Sequence, residues 1–230
     1  MLKIENFEVL GWEHAIRGMR NPMNSWEKSD SNFFDDSEGH VCNICQGRGS
    51  MSLIEIGQND YALMKSLRNA GTDHRKFMRM ITVYLDITAP IYWWKEFDTY
   101  KVGTVANSCS TMHKIHAKEF TLEDFSTEHL YPEVREAFEN TIIKYLNEAR
   151  KTYNFLSDTP SKKDAWWQMI QLLPTSYNQK RTVMLNYEVL ANIYKSRKNH
   201  RLDEWHTLCD WIEELPYSEL ITGKEYEVEE

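Results

Sequence analysis

The densest run of chemically capable side chains is Trp93-Trp94-Lys95-Glu96-Phe97-Asp98-Thr99-Tyr100-Lys101. Aromatic planes interleaved with charges suit a flat heterocycle, because a ring stacks on tryptophan or tyrosine while a lysine or carboxylate addresses its edge. A buried aromatic helix face has the same composition, and composition alone favours that second reading. Gln179-Lys180-Arg181 follows Pro174 and precedes a helical pattern. A cation on that connection is placed to face a ligand phosphate, or else it is part of a solvated basic turn. Asn107, Ser108 and Ser110 offer neutral hydrogen-bonding groups of a kind common in loops.

Other candidates carry less. His40-Val41-Cys42-Asn43-Ile44-Cys45 holds three soft or borderline ligands, but no second Cys-x-x-Cys supplies the rest of a tetrahedral zinc site. A reduced loop pair is therefore the default, and no metal is expected. Gly47-Arg48-Gly49-Ser50 and Gly103-Thr104 allow backbone donors near an anion, yet neither matches a phosphate-loop or dinucleotide fingerprint. Cys109 has only His113 and His116 nearby in sequence, which does not make a nucleophile and base pair, so hydrolysis is set aside.

These groups sit on elements that the hydrophobic pattern outlines. The first 59 residues carry clusters of turn formers such as Asn21-Pro22-Met23-Asn24-Ser25 and Asp35-Asp36-Ser37-Glu38-Gly39, and read as an irregular segment packed on the body through Trp26, Phe33 and Phe34. From Asp60, a possible N-cap, Tyr61, Met64 and Leu67 mark a helix that Gly71 ends. Ile81, Val83, Leu85 and Ile87 alternate along Met80–Thr88 as a strand that Ala89-Pro90 should stop. Pro132 opens a helix with an apolar stripe of Val134, Phe138, Ile142, Tyr145 and Leu146. Ser161-Lys162-Lys163-Asp164 reads as a capping box before Trp166, Trp167, Ile170 and Leu173. Val183–Arg197 and Leu202–Leu215 read as two more helices, the second with Trp205, Leu208, Cys209 and Ile212 inward. Periodicity alone leaves the fold class at α+β or mostly α. The expected organisation is residues 1–59 as the leading segment, 60–217 as one domain, and 218–230 as an acidic tail.

Composition narrows the function. The chain has 230 residues, 41% hydrophobic and 13% aromatic, enough to bury a core. Its formal charge is −8, which argues against duplex nucleic acid as a partner but leaves small anions open, since a phosphate is held by a few local donors. Apolar runs are too short to span a membrane, and four cysteines are too few for a disulfide framework, so a soluble, cytoplasmic protein is expected.

Two stretches together resemble a family. Ile87-Thr88-Ala89-Pro90-Ile91-Tyr92 is similar to the strand-to-helix entry before the long arginine-histidine-arginine motif of the flavin-dependent thymidylate synthases, ThyX. Leu172-Leu173-Pro174, then Asn186 to Arg197, then the helix around Leu202-Asp203, resemble that family's Leu-Pro segment and paired C-terminal helices. Order and spacing agree over roughly two-thirds of the chain. The resemblance implies an α/β protein with a sheet flanked by helices, a homotetramer with active sites between subunits, and methylation of deoxyuridylate (dUMP), a pyrimidine nucleotide. It implies FAD, with NADPH and methylenetetrahydrofolate if the family reaction is retained.

Carried over by position, Arg197, Asn192, His74 and Lys101 fall at or near flavin-contacting places, and Lys180, Arg181, Glu96, Tyr100, Asn107 and Ser110 at substrate-contacting ones. No catalytic residue is assigned. Glu96 stands at the motif glutamine, Thr99-Tyr100-Lys101 at Arg-His-Arg, Ser108 at the glutamate, Met112 at an arginine and Met80 at a histidine. Three readings follow: a divergent enzyme of this type, a nucleotide-binding sensor or sequestering protein that has lost the chemistry, or a protein whose Trp93–Lys101 segment is an oligomer interface.

Overall fold

The computed structural model describes residues 2–34 and 53–224. In chain order its elements are β1 (Lys3–Leu10), α1 (Trp12–Arg20), β2 (Asn32–Phe34), β3 (Leu53–Glu55), α2 (Gln58–Asn69), β4 (Thr82–Pro90), α3 (Ile91–Phe97) and β5 (Val105–Ser108). There follow α4 (Pro132–Phe138), α5 (Lys144–Phe155), α6 (Pro160–Leu172), β6 (Asn178–Asn186), α7 (Tyr187–Arg197), α8 (Asp203–Glu213) and α9 (Glu219–Thr222). The main sheet has the strand order β1-β4-β6-β5, and β2 and β3 form a small antiparallel ribbon with Phe33 opposite Ile54. β4 and β6 are antiparallel: Tyr187 N–H donates to the Ile81 carbonyl at 3.1 Å, and Ile91 N–H to the Tyr177 carbonyl at 3.0 Å. No helix among the described residues is long and apolar enough to cross a membrane.

The chain forms two compact units, Met1–Lys3 with Ile87–Thr99 and Asn107–Arg181, and Ile4–Asp86 with Tyr100–Ala106 and Thr182–Glu230. All four strands of the main sheet contain a boundary between them, after Lys3, Asp86, Ala106 and Arg181. In the first unit, Ile115, Phe120, Phe125, Ile143, Leu146 and Met169 close one core cluster. In the second, Val9, Trp12, Ile16, Met64, Ile81, Tyr187, Leu190, Trp205, Leu208 and Ile212 are buried, with Trp12 edge-on to Tyr187 at 5.2 Å between centroids.

Several sequence expectations hold. Ile81, Val83, Leu85 and Ile87 are all buried, α4 opens on Pro132, and α2 ends before Gly71, whose φ of 103° only glycine adopts cheaply. Others are corrected. Residues 3–20 are not irregular, for they form β1 and α1. Trp26 and Phe33 are 50% and 44% exposed, so those side chains do not anchor the segment as expected, while Phe34's side chain lies outside the described residues. Val183–Asn186 is strand and not helix: Val183 and Leu185 are buried while Thr182, Met184 and Asn186 on the other face are not, and Asn186 then caps α7 by accepting from Val189 N–H at 3.0 Å. The cap of α6 is Thr159, whose hydroxyl accepts from Lys162 N–H at 3.3 Å, in place of the Ser161 box. On α6 the buried residues are Ala165 and Met169, and Trp167 turns outward.

The expected stripe from Val134 to Leu146 breaks for a physical reason. A π-helical segment, Glu139–Ile143, joins α4 to α5. Its wider turn advances the phase of everything after it. Val134 and Tyr145 are exposed, and the face that packs is Phe138, Ile142, Ile143, Leu146, Ala149 and Tyr153.

Asp60 is not an N-cap. Gly57 precedes α2, and Asp60 lies inside the first turn, fully buried. Its carboxylate accepts from Arg20 Nε at 2.6 Å, the Ser31 hydroxyl at 2.7 Å and N–H at 3.1 Å, the Ser29 hydroxyl at 2.8 Å and the Asp30 N–H at 3.0 Å. Arg20, 4% exposed, also donates to Ser25 O and Oγ and to Lys28 O. This one ion pair fixes the turn-rich stretch against α1 and α2.

Candidate functional site

In the unit that holds α3, the aromatic run is core. Trp93, Trp94 and Phe97 are 0%, 0% and 1% exposed, with Trp93 stacked on Phe97 at 5.1 Å. Neither tryptophan presents a face to a ligand in this chain, in line with the buried-helix-face reading that composition favours over stacking on a heterocycle. Trp94 Nε1 donates to the Gln179 carbonyl at 2.9 Å. Arg181 lies over the Trp94 ring at 4.1 Å, donates to the Asp98 carboxylate at 2.7 Å and to Gln179 Oε1 at 2.9 Å. Gln179 in turn donates to the Cys109 carbonyl, and Cys109 N–H to the Lys180 carbonyl, each at 2.9 Å. Lys180 and Arg181 therefore sit on strand β6 and not on a connection, and Arg181 is committed to a carboxylate.

Glu96 is half-buried, and its carbonyl takes the Thr99 hydroxyl at 2.7 Å. Asn107 and Ser110 are exposed, and Ser110 Oγ is occupied locally by His113 N–H at 2.8 Å and Met112 N–H at 3.3 Å.

In the other unit, Arg197 and Tyr100 meet. Arg197 Nε donates to the Tyr100 hydroxyl at 2.9 Å, and its guanidinium lies 4.7 Å from the Trp205 ring and 5.6 Å from the Tyr100 ring. A guanidinium packed between rings in this way is held in orientation and only partly desolvated. A second group lies on the same helix. Arg75 donates to Asn192 Oδ1 at 3.1 Å and to Glu188 at 3.4 Å, Arg79 donates to both oxygens of Glu188, and exposed His74 precedes Arg75 in the chain. Burial would raise the Glu188 carboxyl, but the hydrogen bonds and charges of Arg79 and then Arg75 outweigh it and hold it below the ordinary value. Asn192 and Arg197 are five positions apart on α7, which turns them about 140° from each other. They share a helix without sharing a face. Lys101 is exposed.

Gly103 does approach a helix N-terminus closely, but it is the chain's own. At φ 78° an added Cβ would stand 2.9 Å from Asn186 Nδ2 and 3.2 Å from Val189 Cγ2. The turn formed by Gly103-Thr104 packs on the cap of α7 and not on an open anion cradle. Gly47–Ser50 and the His40, Cys42 and Cys45 group lie outside the described residues.

No family model matches the chain, and no curated protein matches it by sequence. A solved structure of thymidylate synthase X from Helicobacter pylori with FAD and dUMP matches it with a TM-score of 0.65 and 15% identity, over 97% of this chain and 98% of that one. A second structure of the Helicobacter pylori enzyme complexed with FAD and dUMP matches with a TM-score of 0.61 and 16% identity, over 96% and 98%. The chain has the ThyX fold.

Against the ThyX expectation, two features of the site were not read from sequence. Arg75 and Arg79 are spaced to lie on one side of a helical turn, and that is a visible signal, but their partner Glu188 is 109 positions from Arg79. Trp205 was expected as core. Its second role, as the ring beneath Arg197, has no local signature.

Proposed function

We propose that the chain is a divergent flavin-dependent thymidylate synthase-like protein that takes FAD and a pyrimidine deoxynucleotide of the dUMP type. The observation that carries this reading is the end-to-end likeness to ThyX structures containing both molecules. The residues present fit such groups in kind. Arg197 beside Tyr100 and Trp205 joins a cation to aromatic surface, and Arg75 with Asn192, next to His74, supplies directed donors for an anion. When bound, the flavin supplies the redox and one-carbon chemistry, with NADPH as reductant and methylenetetrahydrofolate as carbon donor. The chain's part is to hold and orient. In this reading Arg197 and Asn192, with His74 and Lys101, address the flavin, and Lys180, Arg181, Glu96, Tyr100, Asn107 and Ser110 the nucleotide, in a homo-oligomer of the tetrameric kind.

A second reading, a nucleotide-binding sensor or sequestering protein without synthase activity, is favoured by one observation. Thr99-Tyr100-Lys101 stands where the resembled motif has Arg-His-Arg, and Ser108 where it has its glutamate, so the motif's charged groups are replaced. The test is purification of the full chain, its colour and flavin absorbance, titration with FAD and dUMP, and tritium release from dUMP labelled at the methyl-accepting carbon. A yellow protein that releases tritium supports the enzyme. Binding of dUMP without release supports the second reading. Colourless protein with no nucleotide binding tighter than millimolar sinks both.

A further inference from the structure

A cleft of about 590 Å³ lies in the unit formed by the C-terminal helices, between the end of α7, one face of α8 and Lys224. Arg197, Tyr100 and Trp205 do not line it. Its charges divide into spent and unspent ones. Glu213 is spent: the Tyr194 hydroxyl donates to its carboxylate and Lys224 Nζ binds it at 2.6 Å. His200 accepts the Leu202 N–H on Nδ1 at 3.2 Å, and His206 Nδ1 lies 3.7 Å from Asp203. Cys209 is 4% exposed, and burial, then Asp210 and Glu213, push its thiol up to about 11, so it is an uncharged wall.

Two opposite charges remain. Lys198 Nζ lies 5.6 Å from the Tyr194 ring and feels the Glu213 charge, but no carboxylate among the described residues comes within 4.0 Å of it. Asp210, on α8, lines the same cleft and likewise pairs with no cation there. A simple anion would be repelled by Asp210, and a simple cation by Lys198. No group of three metal-ligating side chains occurs among the described residues. A molecule that carries both charges satisfies both residues at once, with Asn199 as a neutral donor and acceptor and Tyr194 as an apolar floor.

We infer that this cleft binds a small zwitterion, a free amino acid or related amine-carboxylate, with Lys198 taking the ligand carboxylate and Asp210 its ammonium. The test is ligand-observed NMR of the full chain against a panel of free α-amino acids. Each is paired with the analogue lacking the amine and the analogue lacking the carboxylate. At least one amino acid should bind saturably, and both of its singly charged analogues should bind at least about tenfold more weakly, as expected for loss of one charge-assisted contact. Lys198→Met and Asp210→Asn, checked for unchanged circular dichroism, should each weaken the amino acid by a similar factor. Absence of saturable binding by every amino acid overturns the inference, as does a carboxylate analogue that binds as tightly as its parent. Because the comparison between ligands needs no variant, a substitution that fails to fold leaves the test intact.

Discussion

Replacing Asp60 with alanine removes the acceptor of five hydrogen bonds and leaves Arg20, 4% exposed, as a buried cation without its carboxylate. Breaking one side of a buried pair costs about 3 to 5 kcal/mol, because the partner's charge stays desolvated. For a chain of this length that corresponds to a fall in Tm of roughly 6 to 20 °C. Asp60→Asn keeps the shape and one acceptor oxygen but not the charge, and should cost less, about 2 kcal/mol. Replacing both partners by apolar residues, Arg20→Met with Asp60→Leu, should recover much of the loss, since neither charge then needs hydration. The pH dependence has a defined sign. Burial alone raises the carboxyl, but Ser31, Ser29, Arg20 and the Asp30 N–H outweigh it, and Asp60 titrates below its ordinary value. A depressed native pKa stabilises the fold above the carboxylate range of the unfolded chain, and that contribution fades as pH falls through the native value. Thermal melts of wild type and Asp60→Asn between about pH 6 and 3 should therefore converge as the solution is acidified. A Tm change under roughly 2 °C for Asp60→Ala at neutral pH would refute the claim that this pair fixes the segment after α1.

Other outcomes follow from the same kind of reasoning. Gly103→Ala puts a methyl 2.9 Å from Asn186 Nδ2 at a positive φ, and should destabilise by about 1 to 3 kcal/mol in urea unfolding. Tyr187→Phe leaves the Pro216 carbonyl without a buried 2.6 Å bond and should cost about 1 to 2 kcal/mol by the same assay. Glu188→Gln should cost about 1 kcal/mol, discounted because Arg79 is half in solvent, and it should reduce the salt dependence of stability between low and high ionic strength.

Elements with a single period were legible. The alternation Ile81, Val83, Leu85, Ile87 states which face of β4 is buried, and Trp205, Leu208, Cys209 and Ile212 state the same for α8. What escaped depends on pairing across long separations or on a break in period. β6 was hidden because Val183, Leu185 and Tyr187 continue into helical spacing, and only the cap at Asn186 marks the change. The π-helical segment altered the phase of α5, which no α-helical pattern announces. At the site, Arg197 and Tyr100 were each singled out, and the structure joins them. Arg181 was read as a ligand cation because Asp98, 83 positions away, cannot be seen beside it in sequence. The two tryptophans were ambiguous from composition, and burial decides for core.

The way the backbone alternates between its two halves has a practical outcome for anyone dissecting the protein. Because the path passes from one unit to the other after Lys3, Asp86, Thr99, Ala106 and Arg181, no single cut divides the chain into one unit and the other. Neither half can be expressed as one continuous fragment, and limited proteolysis should release no stable piece.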